Sequence, residues 1–352
     1  MPSAIGWTVD EAADADGGRL NGFAPPSFRE RPPWWGPDLQ TLRNYLLIRA
    51  RGRPSAPPGE SRMMLAMDDG SGDELVAVLN RPAEDAGPAR PLVILAHGLT
   101  GCEFSTYMLA STKAFLAAGY PVLRLNLRGA GPSRRTCSKN YHAGRSADLR
   151  AVLAGLDPAL TDAGVFMVGY SLGGNALLKF LGEEGAAATR RVVGAATISA
   201  PIDLAAASAC MGSPRNRLYH RYLLPRMKRE AQAPGSGVTE AERRAINAAE
   251  TIAELDDTFI APHNGFADAD DYYNRSAAFG FMPAVRVPVL VVHALNDPWI
   301  PRDAYDRYDW SGNACLTPLL ARRGGHVGFH GAGDERAWHD RAMIGFLNAL
   351  LR

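Results

Sequence analysis

The pentapeptide Gly169-Tyr170-Ser171-Leu172-Gly173 fits the pattern G-x-S-x-G. A serine hydroxyl between two glycines can attack a carbonyl carbon if the chain turns sharply enough to project it. Residues 165–168 read as a strand feeding the motif, and residues 171–181 as the helix leaving it. Such a turn requires small residues at 169 and 173, because side chains there would meet neighbouring backbone.

Serine is a weak nucleophile until a base takes its proton, and the base needs an acid to fix its tautomer. His326, in Gly324-Gly325-His326-Val327-Gly328, falls between the last expected strand and the last expected helix and is the preferred base. His330 is the rival, four residues on and past the glycine turn. A metal pair made by these two histidines has no evident third ligand. For the acid, Asp297 in Asn296-Asp297-Pro298 follows the strand 289–293; Asp203, just after the strand ending at Ile198, is the alternative. Ser171, Asp297 and His326 then occur in the chain order expected of a serine nucleophile above a parallel sheet. The oxyanion formed on attack needs two N–H donors. The turn His97-Gly98-Leu99-Thr100-Gly101 supplies Leu99, with Thr100 as its neighbour, and Leu172 supplies the second. His97 reads as a residue that orients this turn rather than as the base.

These groups must be gathered at one edge of a scaffold, and the chain alternates in the way that builds one. Strands are expected at 91–96, 121–125, 165–168 and 192–198, with helices at 106–118, 144–156 and 171–181 between them, after a hairpin pairing 63–67 with 75–79. Buried strands separated by helices are βαβ units, so the fold class is α/β with a parallel sheet covered on both faces. The alternation stops over 203–283, which reads as broken helices and loops, and resumes with strands at 287–293 and 317–321 and a closing helix at 337–351. An excursion that returns to the same sheet reads as an inserted, mainly helical cap. The resulting organisation is an arm and linker over 1–60, an α/β core over 61–202 and 285–352, and a cap over 203–284.

Composition narrows the function classes. The 352 residues carry 38 Lys and Arg against 37 Asp and Glu, a net charge of +1, which excludes the strong basic excess of a dedicated nucleic-acid binder. Hydrophobic residues at 46% and charged residues at 21% call for a folded core. No apolar run is long enough to span a bilayer. The beginning of the chain, with Trp7, Asp10, Glu11 and Asp14, has no basic and apolar leader pattern, so a cytoplasmic location is expected. Cys102, Cys137, Cys210 and Cys315 form no CxxC pair and suggest neither a disulfide framework nor structural zinc. Residues 215–229 hold six basic and no acidic side chains among Leu, Tyr and Met, interrupted by Pro225. A solvated cap face is the preferred reading there, and peripheral contact with anionic lipid the second.

The sequence resembles the α/β-hydrolases, and within them the YheT and EMB8-like group that includes the mammalian abhydrolase-domain proteins 1 to 3. The resemblance rests on Pro32-Pro33-Trp34-Trp35, Leu39-Gln40-Thr41-Leu42, His97-Gly98-Leu99-Thr100-Gly101, Asn126-Leu127-Arg128-Gly129, Gly169-Tyr170-Ser171-Leu172-Gly173-Gly174-Asn175, Asn296-Asp297-Pro298 and Gly325-His326-Val327-Gly328-Phe329. Asp38 departs from it, standing where the family usually carries histidine. The resemblance implies an eight-stranded, mostly parallel sheet and cofactor-free serine hydrolysis of carboxylic esters, some members acting on acylglycerols or phospholipids. A carboxylesterase acting on a small ester or lipid-like substrate is therefore expected. A lipase or phospholipase, acyl transfer to an alcohol, and a non-catalytic binding protein on the same scaffold are the alternatives.

Overall fold

Eight strands form one sheet in the order β1-β2-β4-β3-β5-β6-β7-β8. They are β1 (Glu60–Ala66), β2 (Glu74–Asn80), β3 (Leu92–Ala96), β4 (Val122–Leu125), β5 (Val165–Tyr170), β6 (Val192–Ile198), β7 (Val289–Ala294) and β8 (Leu316–Ala321). The pairs β1–β2 and β2–β4 are antiparallel, and every later pairing is parallel. The architecture is seen in a computed structural model that describes residues 23–52, 54–82 and 89–352. The polar start of the arm, with Trp7, Asp10, Glu11 and Asp14, lies outside the described residues.

Burial explains the strand composition. Every residue of β3, β5 and β7 is buried, as suits near-continuous apolar runs when both faces are covered, whereas the edge strand β1 is mostly exposed. The helices are α1 (Gly36–Arg51), α2 (Thr106–Ala117), α3 (Ala147–Gly155), α4 (Leu172–Glu184), α5 (Leu204–Gly212), α6 (Arg217–Ala231), α7 (Glu240–Ala248), α8 (Ala269–Ser276) and α9 (Trp338–Leu350), with shorter turns between them. Phe115 of α2 and Trp338 and Phe346 of α9 pack with one set of strand side chains; Leu149 and Val152 of α3 and Leu177 and Leu178 of α4 pack with the other. The sheet is therefore sandwiched between two apolar layers.

Two features differ from the sequence expectations. The segment read as arm and linker contains the 16-residue helix α1, entered through Pro37 in its first turn. Pro225 does not interrupt the basic stretch; α6 runs through it. The ring lies on an exposed part of the helix, where the freed carbonyl one turn earlier can meet water. Helices α5 to α8 all fall between β6 and β7, and Met211 of α5, Leu223 of α6 and Ile246 of α7 form a cluster of their own with Phe259 from the turn between α7 and α8.

Candidate active site

Loops at the carboxyl ends of β3, β5, β7 and β8 carry the residues singled out by sequence, as parallel sheets favour. Between β5 and α4, Ser171 has φ +49° and ψ −121°, a left-handed conformation that a non-glycine residue adopts only under strong local constraint. A Cβ on Gly169 would come within 2.5 Å of Gly173 O, and one on Gly173 within 2.5 Å of His97 O. Both glycines are thus fixed by close backbone approach. The turn is closed by Ser171 N–H donating to Ile198 O at 2.8 Å and Gly174 N–H donating to Ser171 O at 2.8 Å.

His326 meets both expected partners. Its Nε2 lies 3.0 Å from Ser171 Oγ and its Nδ1 2.9 Å from Asp297 Oδ2. The carboxylate accepts from Nδ1–H, which leaves Nε2 unprotonated and able to accept the serine proton. Asp297 is buried, and its Oδ1 also accepts the N–H groups of Trp299 at 2.8 Å and Ile300 at 3.1 Å. Burial alone would raise its pKa; the charge and hydrogen bond of His326, with the Trp299 N–H, outweigh this and hold it below the usual carboxylate value.

The rivals have other partners. His330 is buried beside α1, its Nδ1 3.2 Å from Arg43 and its N–H donating to Gln40 Oε1. Burial and the nearby Arg43 charge push its pKa well down, so it is a neutral anchor for α1. Asp203 caps α5 by accepting from Ala206 N–H and pairs with Arg307. Thr100 N–H donates to Tyr141 OH at 2.7 Å. Leu99 and Leu172, by contrast, give their N–H groups to no protein acceptor among the described residues, and Leu172 opens α4, where the helix itself provides none. Gly98 brings this turn against the serine: a Cβ there would stand 2.9 Å from Ser171 Cβ. His97 is buried, accepts from Leu127 N–H at Nε2 and donates from Nδ1 to Gly98 O; burial pushes its pKa down to about 4, leaving it neutral and structural.

Several neighbours were not evident from sequence. Trp299 stacks on His326 and also meets Tyr219 of α6 edge-on. Thr41 Oγ1 of α1 accepts from His326 N–H at 2.9 Å, and Ser199 Oγ accepts from Val327 N–H at 3.2 Å. Asp38, the departure from the family pattern, takes a bidentate contact from Arg215 and the hydroxyl of Tyr219, tying α1 to α6. The Leu-Gln-Thr motif thus braces the histidine loop: Gln40 donates to His330 O and Trp34 O as well as accepting from His330. Leu99 and Trp299 border the apolar cluster of α5 to α7, and Leu172 borders a second one with Leu204, Tyr272 and Tyr273. A cleft of about 390 Å³, lined by residues including Phe28, Trp35 and Arg323, contains none of these groups.

Residues 91–332 match the α/β hydrolase fold family. YheT of Escherichia coli, named as an inferred esterase, is 31% identical over 69% of this chain and 71% of its own. A monoacylglycerol lipase of Saccharomyces cerevisiae is 26% identical over 76% of this chain and 61% of its own, and phospholipase ABHD3 of Mus musculus 28% over 68% and 58%. Among solved structures, the esterase Pf2001 of Pyrococcus furiosus superposes with a TM-score of 0.54 at 14% identity, covering 85% of this chain and 96% of that one.

Proposed function

Because the chain belongs to the α/β-hydrolase superfamily, in its YheT and abhydrolase-domain group, we propose that it is a carboxylesterase working through an acyl-enzyme on Ser171. The observation that carries this reading is the unbroken hydrogen-bonded sequence Ser171 Oγ, His326 Nε2, His326 Nδ1, Asp297 Oδ2. Ser171 attacks the ester carbonyl carbon while His326 Nε2 takes its proton, and Asp297 stabilises the imidazolium. The N–H groups of Leu99 and Leu172 hold the tetrahedral oxyanion. Collapse expels the alcohol, which takes the proton from His326. Water then attacks the acyl-enzyme with His326 again as base, releasing the acid and restoring Ser171.

The excursion between β6 and β7 acts as a cap in this reading. Its apolar clusters meet Leu99, Leu172 and Trp299, an environment suited to an acyl chain rather than to a charged group. A second reading, hydrolysis of acylglycerols or phospholipids by the same residues, is favoured by the outer surface of α1 and α6. Four of the six large apolar side chains exposed among the described residues belong to these helices or their entry, Trp35 just before α1, Leu39 and Leu46 on α1 and Leu218 on α6, and α6 also exposes Arg217, Arg221 and Arg229. A basic and apolar surface of this composition suits anionic lipid. No described helix is long and apolar enough to cross a membrane.

Hydrolysis of p-nitrophenyl esters from acetate to palmitate tests both. The carboxylesterase reading predicts kcat/KM highest for short chains and falling steeply beyond them. A maximum at long chains, rising further on anionic vesicles, would replace it with the lipase reading; no turnover of any ester would contradict both.

A further inference from the structure

The turn that carries Leu99 is held from outside the residues proposed for chemistry. Tyr141 OH accepts Thr100 N–H at 2.7 Å and donates to Glu230 Oε2 at 2.8 Å. Tyr141 is buried, its ring edge-on to His97 at 5.7 Å, in a cluster that Leu99 and Leu172 both border. One phenol therefore holds the backbone next to Leu99 and belongs to the apolar cluster against which the side chains of both proposed oxyanion donors pack.

Thr100 makes this contact consequential. Its φ is +54°, a left-handed value that a β-branched residue adopts only when its surroundings hold it there. The Tyr141 hydroxyl is the acceptor that fixes its N–H. Losing that bond frees the peptide to relax toward an ordinary conformation and turns the Leu99 N–H, one residue earlier, away from the oxyanion.

Glu230 completes the chain from the cap side. It lies on α6, three turns after Tyr219, which packs on the Trp299 that stacks on His326. A single helix thus contacts the surroundings of the base through one end and, through Glu230, the Tyr141 hydroxyl that holds the oxyanion turn through the other. Burial pushes the Glu230 carboxyl up to about 7 against the opposing hydrogen bond of Tyr141 and the charge of Arg134. Keeping a carboxylate in such a position costs stability, as groups retained for a site commonly do.

We propose that Tyr141 and Glu230 are positioning residues for the oxyanion turn, so that the seating of α6 on the core sets how well Leu99 N–H meets the transition state. The proposal rests on the hydrolase reading above and adds residues to it. Neither side chain touches the substrate, and binding of the ground-state ester is unaffected by them.

The test uses the full chain with Tyr141→Phe, Glu230→Gln and the double variant. Three quantities are compared: p-nitrophenyl butyrate kinetics, inhibition by an alkyl trifluoromethyl ketone, whose serine adduct carries the oxyanion, and the melting temperature. Removing an oxyanion donor outright typically costs a factor of about 100 to 1,000. Misaligning one is expected to cost about tenfold in kcat for Tyr141→Phe, with KM within about twofold and ketone affinity lowered by the same factor as kcat. Glu230→Gln should give a smaller loss of the same type, and the double variant should be no slower than Tyr141→Phe, because both act through one contact. Glu230→Gln leaves Tyr141 in place, so it reports even if the phenylalanine variant folds poorly. An active wild type with unchanged kcat and ketone affinity in the variants overturns this proposal alone, as does a loss expressed only in KM. A wild type that turns over no ester overturns the hydrolase reading with it.

Discussion

Trp299 lies stacked on the imidazole of His326, ring centroids 4.4 Å apart and planes 26° from parallel. The indole face presents its negative quadrupole to a ring that becomes cationic when it takes the serine proton. Stabilising that cation lowers the barrier rather than the ground state. Replacing Trp299 by Leu should therefore reduce kcat about tenfold, whereas Trp299→Phe, which keeps a stacked ring, should stay within about threefold. Steady-state kinetics on a short ester distinguishes them; equal losses in both would show that the stack does nothing.

The hydrogen bond from His326 to Asp297 predicts a larger effect. Asp297→Asn keeps an oxygen for the Trp299 and Ile300 N–H groups but removes the anion that sets the imidazole tautomer. kcat should fall by about 1,000- to 10,000-fold with little change in melting temperature. Asp203→Asn, which alters only a cap and an exposed pair with Arg307, should remain within about threefold of wild type.

Gly98 offers a steric test. An alanine there sets Cβ 2.9 Å from Ser171 Cβ and 3.1 Å from Tyr170 O, so either the serine or the oxyanion turn must move. Gly98→Ala should lose at least about 100-fold in kcat/KM while circular dichroism stays that of wild type. Near-normal kinetics would mean that the turn shifts without consequence.

Behind the serine turn, Tyr170 OH donates to Ser111 Oγ, and Ser111 in turn donates to the buried Asp340. Burial pushes Asp340 up to about 7, while burial pushes the adjoining His339 down to about 3, so their 3.5 Å approach is not an ion pair at neutral pH. A carboxyl whose pKa is raised by folding binds more protons in the native state. Its contribution to stability is complete below the unfolded value near 4 and is lost as pH rises through about 7. Asp340→Asn cannot lose that proton. Between pH 5 and pH 8 its stability relative to wild type should improve by about 2 kcal/mol in urea unfolding; an unchanged gap would contradict the assignment.

The sheet and the serine turn were readable because their signals are local. Alternating apolar runs fix β3 to β8 within a few residues, and the glycines at 169 and 173 answer clashes with backbone four or five positions away or one strand over. The separation of His326 from Ser171 did not hide their pairing, since each was expected at the carboxyl end of its own strand. What escaped was everything that depends on non-local packing. Helix α1 has half-exposed apolar side chains around much of its circumference, so no clear stripe marks it, and its defining bonds run from Gln40 and Thr41 to residues near 330. Trp299 and Tyr141 carry no motif; their importance arises from the rings and N–H groups that the fold brings to them. Pro225 reads as a break in sequence because its cost is evident locally, and the exposed face that tolerates it is not.

Labelling with a fluorophosphonate probe tests the proposed nucleophile most directly. The wild-type protein should become labelled on Ser171, and Ser171→Ala should abolish the label while leaving the melting temperature near that of wild type. Labelling that persists in the alanine variant, or a folded wild type that takes none, would contradict the account.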